Sequence, residues 1–187
     1  MSMTVRKTLI LAALSSAILL PQESFARAIN ARVSLLSATV EKTVERGGDN
    51  FYFSVVSFRN DGLKRNTQVP RAPTHWMSKY INKIKEVTLW SDTLQEGVSL
   101  DLELELTEEE FSPWVIDESI GQIKLKIQNT EGSPSIQWST PEDLKKLGSA
   151  QNTWRYTQAY ELKGHGGNYH VVMQFVADPY EVAMMKH

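Results

Sequence analysis

There is no cysteine among the 187 residues. That absence removes disulfides, thiol nucleophiles and thiolate metal sites, and it leaves a chain that folds without oxidative help. A basic excess is missing too. The 20 Lys and Arg stand against 22 Asp and Glu, whereas a nucleic-acid binder usually shows a strong positive balance. No internal repeat and no low-complexity tract breaks the chain. It holds no His-Glu-x-x-His, Gly-x-Ser-x-Gly or Walker sequence, and no serine sits in a recognisable nucleophile setting. Its one long apolar run, Thr8 to Leu20, is short for a bilayer span.

What the run does fit is a leader. Arg6 and Lys7 give it a positive start, Pro21 to Ser24 is polar, and Ala26-Arg27-Ala28 has the small-x-small pattern of a signal-peptidase site. Residues 1–28 are therefore expected to be a signal peptide. Cleavage is expected after Ala28, with Ala26 as the close alternative and an uncleaved anchor as the bland one. Removal takes three of the 20 bases and one of the 22 acids, leaving the mature chain about four charges negative. Residues 29–187 then form a single domain, long enough to bury a core without staples. A cysteine-free exported protein suits the bacterial periplasm or secretion to the outside.

Period-two alternation dominates. Val98, Leu100, Leu102, Leu104 and Leu106 share one face of a strand, with Ser99, Asp101, Glu103 and Glu105 on the other. Ile123, Leu125 and Ile127 alternate with Gln122, Lys124 and Lys126, so Glu103 and Glu105 find Lys124 and Lys126 as neighbours if the two strands pair. Further strands are expected around 31–40, 51–58, 67–69, 87–90, 135–138, 154–162 and 168–176. Trp76, Met77, Tyr80, Ile81 and Ile84 recur at threes and fours, which predicts a helix over 74–85 capped by Thr74. Thr140 and Pro141 begin a second, short one. The sum is an all-β, antiparallel, eight-stranded β-sandwich with one or two short inserted helices.

The segment 107–121 stands out. Glu108, Glu109, Glu110, Asp117 and Glu118 flank Phe111, Pro113, Trp114, Val115 and Ile116. Water does not favour so many apolar side chains on a loop, so the fold or another surface must cover them. Hard cations such as calcium want convergent carboxylate and carbonyl oxygens, and membranes or partner proteins want exposed aromatic and aliphatic tips. The loop offers both. The plainer readings are solvated turn carboxylates and a Trp114 folded back as a lid on the core.

Three stretches in order resemble a family. Gly48-Asp49-Asn50-Phe51-Tyr52-Phe53-Ser54-Val55 is followed by the basic hairpin Lys64 to Val69 and by Ala72-Pro73-Thr74-His75-Trp76. Next comes Asp117-Glu118-Ser119-Ile120-Gly121, and last Tyr160-Glu161-Leu162 through Gly166-Gly167-Asn168-Tyr169-His170-Val171. Over roughly residues 31–177 the chain resembles a C-two domain, the calcium-dependent lipid-binding sandwich known from protein kinase C. It departs from the family in lacking the first-loop Asp pair, having only Asp49 with Glu41 or Glu45 there, and in carrying Glu where the third loop uses Asp.

The resemblance implies calcium ligands at Asp49, Glu110 and Asp117, with Glu108 and Glu118 as neighbours. It implies a membrane- or partner-binding tip at Phe111, Trp114, Val115 and Ile116, and headgroup contacts from Lys64 and Arg65 on the basic hairpin. Edge-strand protection is the simpler use of those two bases. The function expected is a non-enzymatic module that engages lipid headgroups or a protein partner, with calcium as its cofactor. A metal-independent interaction or effector protein, or a small secreted hydrolase, is the alternative.

Overall fold

The alternation around Leu102 is realised as a sheet with one wet face and one buried face. The computed structural model describes residues 27–110, 116–139, 145–152 and 154–180. Residues 1–26 of the expected 1–28 leader, the short helix expected at Thr140 and the greater part of the 111–116 tip lie outside these residues. The first sheet has the order β5-β1-β11-β10-β9. It is built from β1 (Ile29–Lys42), β5 (Val87–Leu94), β9 (Lys145–Asn152), β10 (Arg155–Gly164) and β11 (Gly167–Pro179). The second has the order β3-β2-β6-β7-β8, from β2 (Asn50–Arg59), β3 (Lys64–Val69), β6 (Ser99–Glu108), β7 (Glu118–Thr130) and β8 (Ser133–Ser139). The two-residue β4 (Trp76–Met77) also pairs with β2. Every strand pairing is antiparallel.

Eleven strands among the described residues exceed the eight expected. Among the additions are β4, too short to show a period, and β9, whose sequence Lys-Lys-Leu-Gly-Ser-Ala-Gln-Asn has no apolar alternation. The helix expected over 74–85 is a correction. Trp76 and Met77 enter the sheet, and only Ser78–Lys83 coils, as a 3-10 turn without a side-chain cap. The spacing of three between Ile81 and Ile84, both buried, satisfies that tighter helix as well as it would an α-helix. Thr74, the expected cap, instead donates its N–H to the Arg71 carbonyl in a turn.

Inward residues of both sheets make one core. Val33, Leu35, Tyr160, Leu162, Met173 and Phe175 come from the first sheet, and Phe53, Val55, Leu102, Leu104, Ile123 and Leu125 from the second. The register between β6 and β7 sets Glu103 opposite Lys124, bonded at 2.8 Å, and Asp101 opposite Lys126. Glu105 faces Gln122, so Lys126 serves the aspartate rather than the second glutamate. Among the described residues no helix is long and apolar enough to cross a membrane.

The sheets approach closely where β10 ends. A Cβ on Gly164 would stand 2.6 Å from the Ile120 carbonyl oxygen and 2.7 Å from that of Ser119. Both are backbone atoms that cannot swing aside. Gly164→Ala should therefore destabilise the protein by about 2 kcal/mol or more through overpacking. A denaturant midpoint unchanged from the parent protein would show that the sheets can part at that end without cost.

Candidate functional site

The same end of the sandwich gathers the finish of β1, β6 and β10 and the start of β2, β7 and β11. Acidic side chains crowd it, and they divide into those already engaged and those that are not.

Asp49 is engaged. It is 1% exposed. Its Oδ2 accepts the Val44 N–H at 3.0 Å and the Tyr169 hydroxyl, and its Oδ1 accepts the Glu45 N–H at 2.9 Å. Its own N–H donates to Ser78 Oγ at 2.8 Å, and its carbonyl accepts the Ser78 N–H at 2.8 Å. The carboxylate thus ties the β1–β2 turn to β11, and the Asp49 backbone ties that turn to the 3-10 turn. Burial, followed by the hydrogen bond to Asp49, pushes the Tyr169 hydroxyl far above its ordinary pKa.

Asp117 is engaged too. Its Oδ1 accepts the Glu110 N–H at 3.1 Å and its Oδ2 accepts the Tyr52 hydroxyl at 2.7 Å. It closes the stem of the acidic loop. Burial first, and then Asp117, raise the Tyr52 pKa to about 12. Three more carboxylates meet histidines: Glu109 lies 2.6 Å from His75, Glu118 lies 3.1 Å from His165, and Glu41 lies 2.9 Å from His170. Glu41, Glu161 and His170 form a cluster whose donor atoms lie within 4.8 Å of one another. Asn168 donates to both of its glutamates, and Lys163 pairs with Glu161 at 2.7 Å. Charge pairing and the Asn168 amide hold that cluster together.

Glu108 differs. Even-numbered residues of β6 from Leu100 to Leu106 point to the core, and Glu108 continues their parity. It pairs across with the core residue Phe51 and is 1% exposed, and its Oε2 is buried with no hydrogen-bond partner. Desolvation raises its pKa to about 7, helped by the charges of Asp49, Glu110, Glu45 and Glu118. An unpartnered buried carboxylate oxygen is costly. A proton or a cation relieves it.

The neighbours suit a cation. One carboxylate oxygen each from Glu45, Glu108 and Glu110 lie within 4.8 Å of one another. Calcium–oxygen distances are about 2.3–2.6 Å, so a single ion between three such oxygens could touch all of them. The donors are all hard oxygens, the chemistry that calcium prefers.

Of the five expected ligands, then, Glu108 and Glu110 converge. Asp49 and Asp117 hold the backbone, and Glu118 faces His165. Glu45 completes the trio from the β1–β2 turn. The binding residues are not gathered in one place. Ile116 is 88% exposed beside Asp117, while Phe111, Trp114 and Val115 lie outside the described residues. Lys64 and Arg65 pair with Phe58 and Ser57 at the other end of β2, about 23 Å away by strand rise. There Lys64 lies 4.7 Å over the Phe58 ring and Arg65 lies 3.6 Å from Asp92. No protein-family model matches the chain, and no curated protein matches it.

Proposed function

We propose that this is an exported, non-enzymatic binding module whose acidic end takes up calcium at Glu45, Glu108 and Glu110 and then engages an anionic membrane surface. The reading rests on one observation, the buried and unpartnered Oε2 of Glu108 facing two further carboxylates. Charge supports the order of events. Without a cation this end repels anionic headgroups. A bound divalent ion cancels most of the charge of the three carboxylates and offers open coordination positions to phosphate oxygens. Asp117 closes one stem that carries both Glu110, a member of the trio, and the exposed Ile116, so ion and loop would act at the same end. The distant Lys64 and Arg65 are not needed for this docking mode.

Calcium titrated into the protein should give a binding heat and a rise in melting temperature. At a hundredfold excess over Kd the gain is about 2.7 kcal/mol. Glu110→Gln should weaken calcium at least tenfold, since it removes one of three anionic donors. Phosphatidylserine vesicles should sediment the protein with calcium and release it with chelator. No heat and no melting shift would sink the calcium reading. Calcium binding without sedimentation would replace the membrane by a protein partner.

A further inference from the structure

The leader pattern permits two cuts, after Ala26 or after Ala28, because small residues stand at the required positions in both. The folded chain distinguishes their products. Arg27 and Ala28 are part of the sandwich base. The Arg27 carbonyl accepts Asn129 Nδ2 at 2.7 Å, and the same amide group donates to the Leu94 carbonyl at 2.9 Å. Asn129 is fully buried, so losing Arg27 leaves one of its donors without a partner inside the protein. The Arg27 side chain lies across Gly132, where an added Cβ would stand 2.8 Å from the Arg27 Cβ, and its Nη1 reaches the Glu131 carbonyl at 3.5 Å. Ala28 is 8% exposed, and its carbonyl accepts the Tyr180 N–H at 2.9 Å. A cut after Ala28 deletes every contact made by Arg27 and Ala28. A cut after Ala26 keeps them.

A further contact concerns the nitrogen that such a cut would free. The Arg27 backbone nitrogen lies 3.4 Å from Glu96 Oε2, on the turn between β5 and β6. As an amide it makes a long, weak hydrogen bond. As an α-ammonium it would make an ion pair with a ready carboxylate.

We propose that the exported protein is processed between Ala26 and Arg27, and that Glu96 is the seat of the new α-ammonium. The proposal rests on the leader reading of residues 1–26. The step is a hydrolysis by a leader endopeptidase. Water adds its oxygen to the Ala26 carbonyl carbon and the carbon–nitrogen bond breaks. The leader departs with a carboxylate, and the Arg27 nitrogen takes a proton to become the ammonium.

The full-length chain should be expressed in a bacterium with a general secretory pathway and the exported fraction weighed intact. A mass beginning at Arg27 supports the site. A mass beginning at Ile29, or at any other residue, overturns it while leaving the leader reading in place. Uncut chain held in the membrane or cytosol overturns both. Selective acylation of the α-amine near pH 7 tests the seat. In the processed protein it should run several-fold more slowly than in its Glu96→Gln variant, because the carboxylate favours the unreactive ammonium. Equal rates in the two proteins would overturn the ion pair.

Discussion

Asp49→Ala should lower the unfolding free energy by about 3–5 kcal/mol, because it strands three donors at once: the N–H groups of Val44 and Glu45, and the Tyr169 hydroxyl. The site is fully buried, so water cannot fill in for the lost oxygens without first opening the turn. Asp49→Asn separates shape from bonding. Asparagine has nearly the same volume but only one accepting oxygen, and its NH2 group would face donors. It should cost about 1–2 kcal/mol. Denaturant melts of the three proteins without metal check this. An alanine variant within 0.5 kcal/mol or so of the parent, the ordinary range for surface changes, would mean that Asp49 does not organise this end.

The second large effect is a pH profile. Glu108 has its folded-state pKa raised to about 7 from an ordinary 4.5. Below pH 4.5 both folded and unfolded chains hold the proton. Between 4.5 and 7 the folded chain keeps a proton that the unfolded chain has released, so each unit of rising pH removes up to about 1.4 kcal/mol. The stabilisation is lost by the time pH passes 7, for a total of about 3 kcal/mol. In chelator, the protein should therefore weaken from pH 5 to pH 8. Glu108→Gln, which cannot ionise, should flatten the profile and hold its midpoint at pH 8. Calcium should restore the parent protein at pH 8 and leave the variant nearly unmoved. Parallel profiles for the two proteins would show that Glu108 finds water or a proton donor in solution.

What the sequence made legible follows from where the information lay. The strand from Leu100 to Leu106 carries its own period, and its inward face is as expected. The parity that buries Glu108 was present in the same run, two residues on from Leu106, but the surrounding glutamates masked it as part of a charged turn. Asp49 could not be read as a backbone tie. Its partners Ser78 and Tyr169 are distant in sequence and meet it only when the two sheets close. The convergence of Glu45 with Glu108 and Glu110 has the same origin, since a turn after β1 meets the end of β6 only in the assembled sandwich. Local spacing also misled over 76–84, where Trp76 and Met77 join the sheet and only the spacing of three between Ile81 and Ile84 suits the 3-10 turn. It stayed silent at β9, which pairs with β10 through its backbone.

The pairing of β1 with β11 also has a kinetic consequence. Ile29 lies opposite Pro179, and the middle of the first sheet consists of the first and last long strands of the chain. No segment emerging early from a ribosome can complete that sheet, because its partner is synthesised roughly 150 residues later. Contacts this distant in sequence slow folding, since loop closure must precede any gain from pairing. If the chain is exported as proposed above, that delay would be useful: it would stay loose until its last strand had crossed the secretion channel.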